Sequence, residues 1–217
     1  MDAQNFLDDF KSIVQLGLPG EDAHRRLMPQ SRPLSSAAKA NSKSYRESAV
    51  GLVLHPTLTS VECILIQRPT YEGVHSGQIS FPGGKRDETD ENLEFTARRE
   101  CFEEVALPLG LGEMIHPLTE VFIPVSSFLV QPYIFYVETL PELIADEREV
   151  DSIFSFDIFS LLDESIIHRT SIQIGNGMTL KDMPYFNIHG RVVWGATAMI
   201  LSELKILLGQ MHLASLR

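Results

Sequence analysis

The chain has 217 residues, of which 44% are hydrophobic and 22% are charged, and its formal net charge at pH 7 is −11. This length allows one domain with a substantial core, and the composition is ordinary for a soluble globular protein. The negative charge argues against nonspecific binding to nucleic acid and to anionic membranes, because both kinds of binding need basic patches.

The N-terminal segment, residues 1–47, is predicted to be a helical arm followed by a loop. Apolar residues at helical spacing predict a first helix, at Phe6, Phe10, Ile13 and Val14. Leu18-Pro19-Gly20 ends that helix, and a short second helix is expected over 21–27. Residues 28–46 are rich in Pro, Ser, Ala and Lys, which is typical of a surface loop. The arm is expected to clasp either the main domain or a partner subunit, which leaves a homodimer open.

The main domain is predicted over residues 48–217 and consists mostly of strands. Strands are expected at residues 48–55, 62–67, 78–81, 115–122, 129–137, 165–174 and 178–180. A turn at 175–177 is expected to join the last two strands as a hairpin. Residues 150–154 are expected to form an edge element, and residues 186–193 have a mixed pattern. Helices are expected after a turn at Gly83-Gly84, at 158–162 and, with an amphipathic pattern, at 195–208. Few helices among many strands predict an α+β fold with a mixed sheet covered on both faces.

The two cysteines and the chain terminus indicate an intracellular protein. Cys63 falls in an apolar strand pattern and Cys101 in an apolar helix stripe, so both are expected to be core residues. The N-terminus has no basic region followed by an apolar segment, and no run reaches about 18 apolar residues. We therefore expect no secretory signal, no membrane-spanning helix and a cytoplasmic location.

One predicted helix carries most of the chemical information, because three glutamates lie close together on it. Glu100, Glu103 and Glu104 are spaced i, i+3 and i+4, so a helix places their carboxylates on one face. Carboxylates that close repel one another unless a cation neutralises them. Oxygen ligands in a tight cluster suit Mg²⁺ or Mn²⁺. A solvated acidic face is the other interpretation of the same spacing.

The rest of this helix supports the placement of the acids. Apolar residues recur at every fourth position and form a stripe that can pack on a sheet, at Leu93, Ala97, Cys101 and Val105. Arg99 lies four residues before Glu103, where an ion pair orients both side chains. Three further acids are expected at the helix start, where the helix dipole favours negative charge: Asp87, Asp90 and Glu91.

This segment resembles the Nudix box, which is written G-x5-E-x7-R-E-U-x-E-E-x-G-U with U a bulky apolar residue. The matching residues are Gly84 and the run Arg99-Glu100-Cys101-Phe102-Glu103-Glu104. Two departures are present: fourteen residues separate Gly84 from Arg99, one more than the pattern, and Ala106 replaces the last glycine. The resemblance implies a Nudix fold, in which a mixed β-sheet is sandwiched between α-helices. It also implies hydrolysis of nucleoside diphosphates linked to another group, with Mg²⁺ or Mn²⁺.

A second stretch is similar to the coenzyme A diphosphatase branch of the same family. It consists of His75-Ser76-Gly77-Gln78-Ile79-Ser80-Phe81-Pro82-Gly83-Gly84. Arg68 occupies the place of an arginine of that branch, whereas Gly73 stands where the branch commonly has a second one. A further match is Val193-Trp194-Gly195-Ala196-Thr197-Ala198, which is similar to a W-G-x-T-A segment.

The resemblance assigns roles to particular residues. It implies that Glu100, Glu103 and Glu104 are metal ligands, that Glu103 is the first candidate for a general base, and that Arg99 orients the catalytic acids. Gly83 and Gly84 are expected to let backbone N–H groups approach phosphate oxygens. Three side chains are expected to contact the anionic substrate: Arg68, Lys85 and His75, for which a structural role is the other interpretation.

Two other residues are open to two interpretations, and two histidines are given one. Glu149 is either a further ligand or base, or part of a solvated loop. Trp194 either stacks on an adenine ring or packs in the core. His168 and His189 have no nearby partners in the sequence and are interpreted as structural.

Two functions from different classes fit these residues. The first is hydrolysis of the pyrophosphate bond of coenzyme A or its derivatives, giving 3′-phosphoadenosine 5′-phosphate and 4′-phosphopantetheine, with ADP-ribose and NADH as alternative substrates. The second is a non-catalytic Nudix module that binds a nucleotide. Retention of Arg99 and all three glutamates favours the enzyme.

Overall fold

The computed structural model describes residues 3–29, 32–70, 76–174, 177 and 179–214. The helices in these ranges are α1 Ala3–Gln15, α2 Glu21–His24, α3 Ser35–Ala40, α4 Leu93–Val105 and α5 Gly195–Ala214. The strands are β1 Arg46–Pro56, β2 Val61–Gln67, β3 Ile79–Ser80, β4 Gly83–Lys85, β5 Glu113–Pro117, β6 Val121–Ile123, β7 Phe128–Tyr136, β8 Ser152–Asp157, β9 Ile167–Gln173, β10 Thr179–Ile188 and β11 Arg191–Trp194. Short 3₁₀ helices lie at Arg25–Leu27, Ile158–Leu162 and Glu164–Ile166.

A mixed sheet forms the centre of the molecule. Its strands follow the order β3-β2-β1-β7-β5, and β4, β6 and β8 pair with β1, β7 and β2. β1 and β7 run parallel in the middle, whereas the outer pairs are antiparallel. The middle of β1, from Ala49 to Leu54, and the middle of β2, from Cys63 to Ile66, are continuous apolar runs because both faces of the sheet are covered.

The two faces of the sheet are covered by different helices. On one face, Leu52 and Leu54 of β1 belong to the same core as α5 and α1. On the other face, Val53 of β1 packs with Cys101 and Val105 of α4. The predicted α+β fold, with a mixed sheet between helices, is therefore confirmed.

The N-terminal arm packs against α5 and also reaches the sheet, where the ring of Phe6 stacks on that of Tyr136 of β7. Phe6, Phe10 and Leu27 of the arm are almost completely buried in the core that contains α5. The predicted apolar line on α5 is buried, and so are residues on its other sides, such as Met199 and Leu207. This helix was expected to be amphipathic, and that expectation was wrong because the arm covers the side that would otherwise face water.

A buried carboxylate fixes the arm to α5. Glu203 accepts hydrogen bonds from the backbone N–H of Gly20 and from both the N–H and the hydroxyl of Thr119. His24 of α2 lies beside it, with 3.5 Å between Nε2 and the carboxylate. The arm thus clasps the main domain. Whether residue 47 is a domain boundary stays a prediction.

Several predicted elements differ from the structure. The expected loop at 28–46 contains α3. The expected strand at 115–122 is divided into β5 and β6, because the segment between them turns Thr119 towards Glu203. The edge element expected at 150–154 is β8, which begins at Ser152 and is an edge strand bonded to β2 from Glu62 to Gln67. The mixed segment at 186–193 forms most of a hairpin between β10 and β11, with His189 and Gly190 at positive φ in its turn. The predicted turn at 175–177 lies mostly outside the described residues, as does Met178.

In the part of the chain that the structure describes, no helix is both long and apolar enough to cross a membrane.

Candidate active site

The paired glycines form an extended strand and not the predicted turn. β4 pairs antiparallel with β1, with Gly83 opposite Val50 and Gly84 opposite Ala49. A Cβ atom at residue 83 would lie 2.5 Å from the carbonyl oxygen of Ala49. A Cβ atom at residue 84 would lie 2.5 Å from the carboxyl carbon of Glu100. Glycine is therefore required at both positions because the neighbouring backbone and the α4 carboxylate approach so closely.

Helix α4 begins later than the acidic cluster suggested. Asn92 is its N-cap, and the Asn92 side chain accepts a hydrogen bond from the N–H of Phe95. Asp87, Asp90 and Glu91 precede the helix, so the prediction that they lie at its start was wrong. Asp87 and Asp90 instead form a tight turn, in which the N–H of Asp87 donates to the carboxylate of Asp90.

The C-terminal end of α4 has the geometry that usually requires glycine. Ala106 adopts a left-handed conformation with φ 57°. Its N–H donates to the carbonyl of Phe102, and the N–H of Leu107 donates to that of Cys101. A left-handed residue whose N–H bonds to the carbonyl four residues back is the αL type of helix C-cap. The alanine therefore keeps the turn, at a conformational cost of about 1 kcal/mol relative to glycine.

Arg99 connects the turn before α4 to the acids on α4. Its guanidinium donates to both carboxylate oxygens of Asp90, each at 3.0 Å, and to the carbonyl oxygen of Lys85. It also donates to Glu100 at 2.9 Å and to Glu103 at 2.7 Å. Asp90 is only 4% exposed, and its hydrogen bonds from Arg99 lower the pKa of its carboxyl to about 2. Arg99 thus has the orienting position that the sequence predicted, and Asp90 is the partner that sequence reasoning missed.

Two of the three predicted metal ligands are buried against β4. Glu100 and Glu104 are 8% and 1% exposed. Burial raises the pKa of Glu104 to about 8 and that of Glu100 to about 7. The carboxylate of Glu104 accepts a hydrogen bond of 2.9 Å from the N–H of Gly83. That N–H is therefore occupied by the helix, and the expectation that it faces phosphate directly does not hold in this structure.

Glu103 and Glu149 complete the acidic region from two sides. The side chain of Glu103 is 52% exposed and is paired with Arg99. After burial, the negative charge of Glu149 also contributes to the raised pKa of both Glu100 and Glu104. Backbone hydrogen bonds hold its loop on α4, because the N–H of Asp146 donates to the carbonyl of Glu104 and the N–H of Glu149 donates to that of Asp146.

The predicted substrate contacts have different environments. Arg68 follows β2 and lies 3.4 Å from the carboxylate of Glu104. The side chain of Lys85 is exposed at the end of β4, next to the carbonyl that binds Arg99. His75 and Gly73 lie outside the described residues. The structure thus brings Arg68, Gly83, Gly84 and Lys85 to the acidic end of α4.

The donors at this site fit a divalent cation in type and charge. Buried carboxylates with raised pKa values gain most from a cation that neutralises them, and Glu103 adds a third, partly exposed carboxylate. Within the described residues, no three His, Cys, Asp or Glu side chains are already gathered around one metal position. The three carboxylates are not gathered because Glu103 is turned towards Arg99 and Glu104 is turned towards Gly83.

The remaining candidates are two cysteines, a histidine and a tryptophan. Cys63 and Cys101 are fully buried thiols whose pKa is raised by burial, as expected of core residues. His168 is exposed on β9 and packs near the ring of Tyr185. Trp194 is partly buried at the end of β11, opposite Tyr185.

Comparison with known proteins agrees with this geometry. The NUDIX domain family matches residues 45–173. An uncharacterized Nudix hydrolase, NudL, from Enterobacter sp. (strain 638) is 33% identical over 67% of this chain and 74% of its own length. The NudL protein of Salmonella newport (strain SL254) is 32% identical over the same shares. A crystal structure of RenU, a Nudix hydrolase from M. smegmatis, has a TM-score of 0.54 at 15% identity and covers 76% of this chain and 86% of that one.

The strand with the paired glycines packs against a helix that carries one arginine and three glutamates, and these are the residues that resemble the Nudix box. The chain belongs to the Nudix family, and it is a Nudix hydrolase. Hydrolases of this family generally use divalent metal ions and act on nucleoside diphosphate derivatives.

Proposed function

We propose that this protein hydrolyses the diphosphate bond of coenzyme A or its derivatives, giving 3′-phosphoadenosine 5′-phosphate and 4′-phosphopantetheine. The observation that carries the proposal is the position of the buried pair Glu100 and Glu104 against β4, with Arg68 beside Glu104. The choice of coenzyme A rests on the resemblance of residues 75–84 to that branch of the family.

The acids of α4 are the residues that would hold Mg²⁺ or Mn²⁺: Glu100, Glu103 and Glu104. When bound, such a cation neutralises the carboxylates, stabilises charge on phosphoryl oxygens and promotes the ionisation of water. Glu149 is a further candidate ligand because its charge acts on both buried acids. Arg99 holds Glu100 and Glu103 in place through direct hydrogen bonds.

The chemical step is attack by water on one phosphorus of the diphosphate. Glu103 is exposed at the site and accepts the proton of the attacking water as general base. The new bond joins the water oxygen to phosphorus, and the bond to the bridging oxygen breaks, so the other phosphate leaves with the electron pair. Arg68 and Lys85 supply positive charge for the substrate in a chain whose net charge is −11. We further propose that the protein acts in the cytoplasm, and a homodimer stays open.

Product analysis tests the substrate. The purified protein is incubated with Mn²⁺ or Mg²⁺ and with coenzyme A, ADP-ribose or NADH in parallel, and the products are separated by chromatography. We expect coenzyme A to be cleaved with the largest kcat/KM. Preference for ADP-ribose or NADH would overturn the choice of substrate.

A second arm of this experiment tests whether the chain is catalytic at all. In Glu104→Gln the carboxylate is replaced by an amide of the same shape, and we expect kcat to fall about a hundredfold or more. If neither the wild type nor the variant turns over any of the three substrates, while both bind coenzyme A equally, the protein is a binding module.

A further inference from the structure

Ser80 lies on the same face of the sheet as the acidic end of α4. In the β2–β3 pair, Ser80 is directly opposite Ile66, and directly opposite residues of an antiparallel pair point to the same face. Ile66 packs with Cys101 and Val105 of α4. The neighbouring residue Ile79 belongs to the core on the opposite face, which agrees with the alternation of a strand.

Arg68 shares that face and is a diagonal neighbour of Ser80. The ladder continues past the end of β2, because the N–H of Arg68 donates to the carbonyl of Gln78. Arg68 therefore points to the same side as Ile66, and its contact with Glu104 agrees with this. Diagonal neighbours in an antiparallel pair are typically separated by about 7–8 Å, which long side chains can span.

Both residues keep a buried polar atom without a partner. The hydroxyl oxygen of Ser80 and Nε of Arg68 are buried, and neither has a hydrogen-bond partner among the described residues. Buried polar atoms are nearly always paired, so an unpaired one needs an explanation. Two such atoms on one face, next to the acids of the active site, are explained together if a ligand oxygen pairs with them.

We propose that Ser80 and Arg68 form a phosphoryl-binding subsite, in which the Ser80 hydroxyl and the Arg68 Nε–H donate to oxygens of one phosphoryl group of the substrate. Both groups are donors, and an anionic oxygen accepts from such donors more strongly than a neutral one does. This assignment deepens the proposed function, on which it rests. Ser80 is a positioning residue that fixes the diphosphate against β3 and takes no proton in the reaction.

The experiment measures binding of methylenediphosphonate, which the protein cannot hydrolyse, by isothermal titration calorimetry in saturating Mg²⁺. Ser80→Ala removes the hydroxyl, and Arg68→Lys keeps the positive charge but removes Nε–H. Ser126→Ala is the matched control, because the Ser126 hydroxyl is also buried and unpaired but lies in the turn between β6 and β7.

We expect Ser80→Ala and Arg68→Lys each to weaken diphosphonate binding about tenfold, and Ser126→Ala to bind like the wild type. The melting temperature of Ser80→Ala should not fall, because the Ser80 hydroxyl makes no hydrogen bond to the residues that the structure describes. With a hydrolysed substrate, Ser80→Ala should raise KM and leave kcat within about threefold. Wild-type affinity in Ser80→Ala, equal weakening in Ser126→Ala, or no binding by the wild type would each overturn the subsite.

Failure of the subsite and failure of the proposed function give different results. If coenzyme A is cleaved but diphosphonate binding does not depend on Ser80, the function stands and the subsite is wrong. If coenzyme A is not cleaved but Ser80→Ala still weakens diphosphonate binding, the subsite stands for a different diphosphate and the proposed substrate is wrong.

Discussion

The carboxylate of Asp90 is bound by the guanidinium of Arg99 through two hydrogen bonds of 3.0 Å, although Arg99 lies nine positions further along the sequence. Asp90 also accepts from the hydroxyl of Thr96 and from the N–H of Asp87. The turn before α4 and the middle of α4 are thus joined through one buried carboxylate. Arg99 in turn holds Glu100 and Glu103, so the position of these acids depends on Asp90.

Asp90→Asn is expected to lower both stability and activity. The amide cannot accept two hydrogen bonds from Arg99, and removing one partner of a largely buried ion pair costs about 3 kcal/mol in free energy of unfolding. Urea denaturation measures this loss, and kcat measures the loss of orientation in α4. Asp87→Asn is the control, because Asp87 is 4.0 Å from Arg99 and 62% exposed, and it should change stability by less than about 0.5 kcal/mol. Equal effects of the two variants would show that Asp90 has no special role.

Gly84→Ala is expected to reduce activity much more than stability alone explains. The added methyl group would lie 2.5 Å from the carboxyl carbon of Glu100, so this acid must move. A shift of about 1 Å at a catalytic group typically costs about a hundredfold in rate. The control is Gly110→Ala, where no atom lies within 4 Å of the added methyl group. Steady-state kinetics of the two folded variants compare them, and a fully active Gly84→Ala would contradict the close packing described.

Ala106→Gly is expected to stabilise the protein. Glycine adopts the left-handed conformation of residue 106 without strain. Part of the gain is offset because glycine also loses more entropy on folding, which leaves about 0.5–1 kcal/mol. Thermal unfolding measures the change, and kcat/KM should not change because the acids keep their positions. A lower melting temperature would mean that the turn after α4 is not under strain.

Without metal, Glu100 and Glu104 are expected to make stability fall as the pH rises. In the unfolded chain a glutamate titrates near its ordinary pKa of about 4.3, whereas burial raises the folded values to about 7 and about 8. Between these limits the folded state binds more protons than the unfolded state, so the free energy of unfolding decreases with pH.

Urea unfolding in EDTA, from about pH 5 to about pH 9, measures this effect. The free energy of unfolding of the wild type should decrease more steeply with pH than that of Glu104→Gln, so the variant becomes the more stable of the two relative to its position at low pH. Metal has the opposite dependence, since the ligands must lose their protons, and Mg²⁺ affinity should increase over the same range. Parallel stability curves for the two proteins would show that Glu104 is ionised in the folded state at low pH.

The sequence predicted well those elements whose burial follows from the spacing of their own apolar residues. The stripe of α4 from Ala97 to Val105 is buried on the sheet as its spacing predicted. The paired glycines were interpreted as a turn, because a glycine fits both a tight turn and a strand that has no room for a side chain. The sequence does not distinguish these two reasons. Here the reason is the approach of Glu100 and β1, which lie elsewhere in the chain.

Long-range contacts explain the other differences. In the sequence, the acids before α4 were explained by an interaction with the helix dipole. Only the folded chain shows that Asp90 pairs with Arg99. The sequence of α5 indicated one apolar face. In the structure Glu203 of α5 accepts a hydrogen bond from Gly20 of the arm, which lies 183 positions earlier, so a second side of the helix is covered. Ser80 gave no signal in the sequence beyond its place in a motif, because its lack of a partner is visible only in the structure.

Manganese binding tests the central claim most directly, which is that the buried carboxylates of α4 hold a divalent cation. Electron paramagnetic resonance measures the concentration of free Mn²⁺ during titration of three proteins. They are the wild type, the double variant Glu100→Gln with Glu104→Gln, and the control Glu147→Gln. Glu147 is an exposed acid in the loop of Glu149. We predict that the double variant binds Mn²⁺ at least about tenfold more weakly than the other two proteins. Equal Mn²⁺ affinity in all three would contradict the claim.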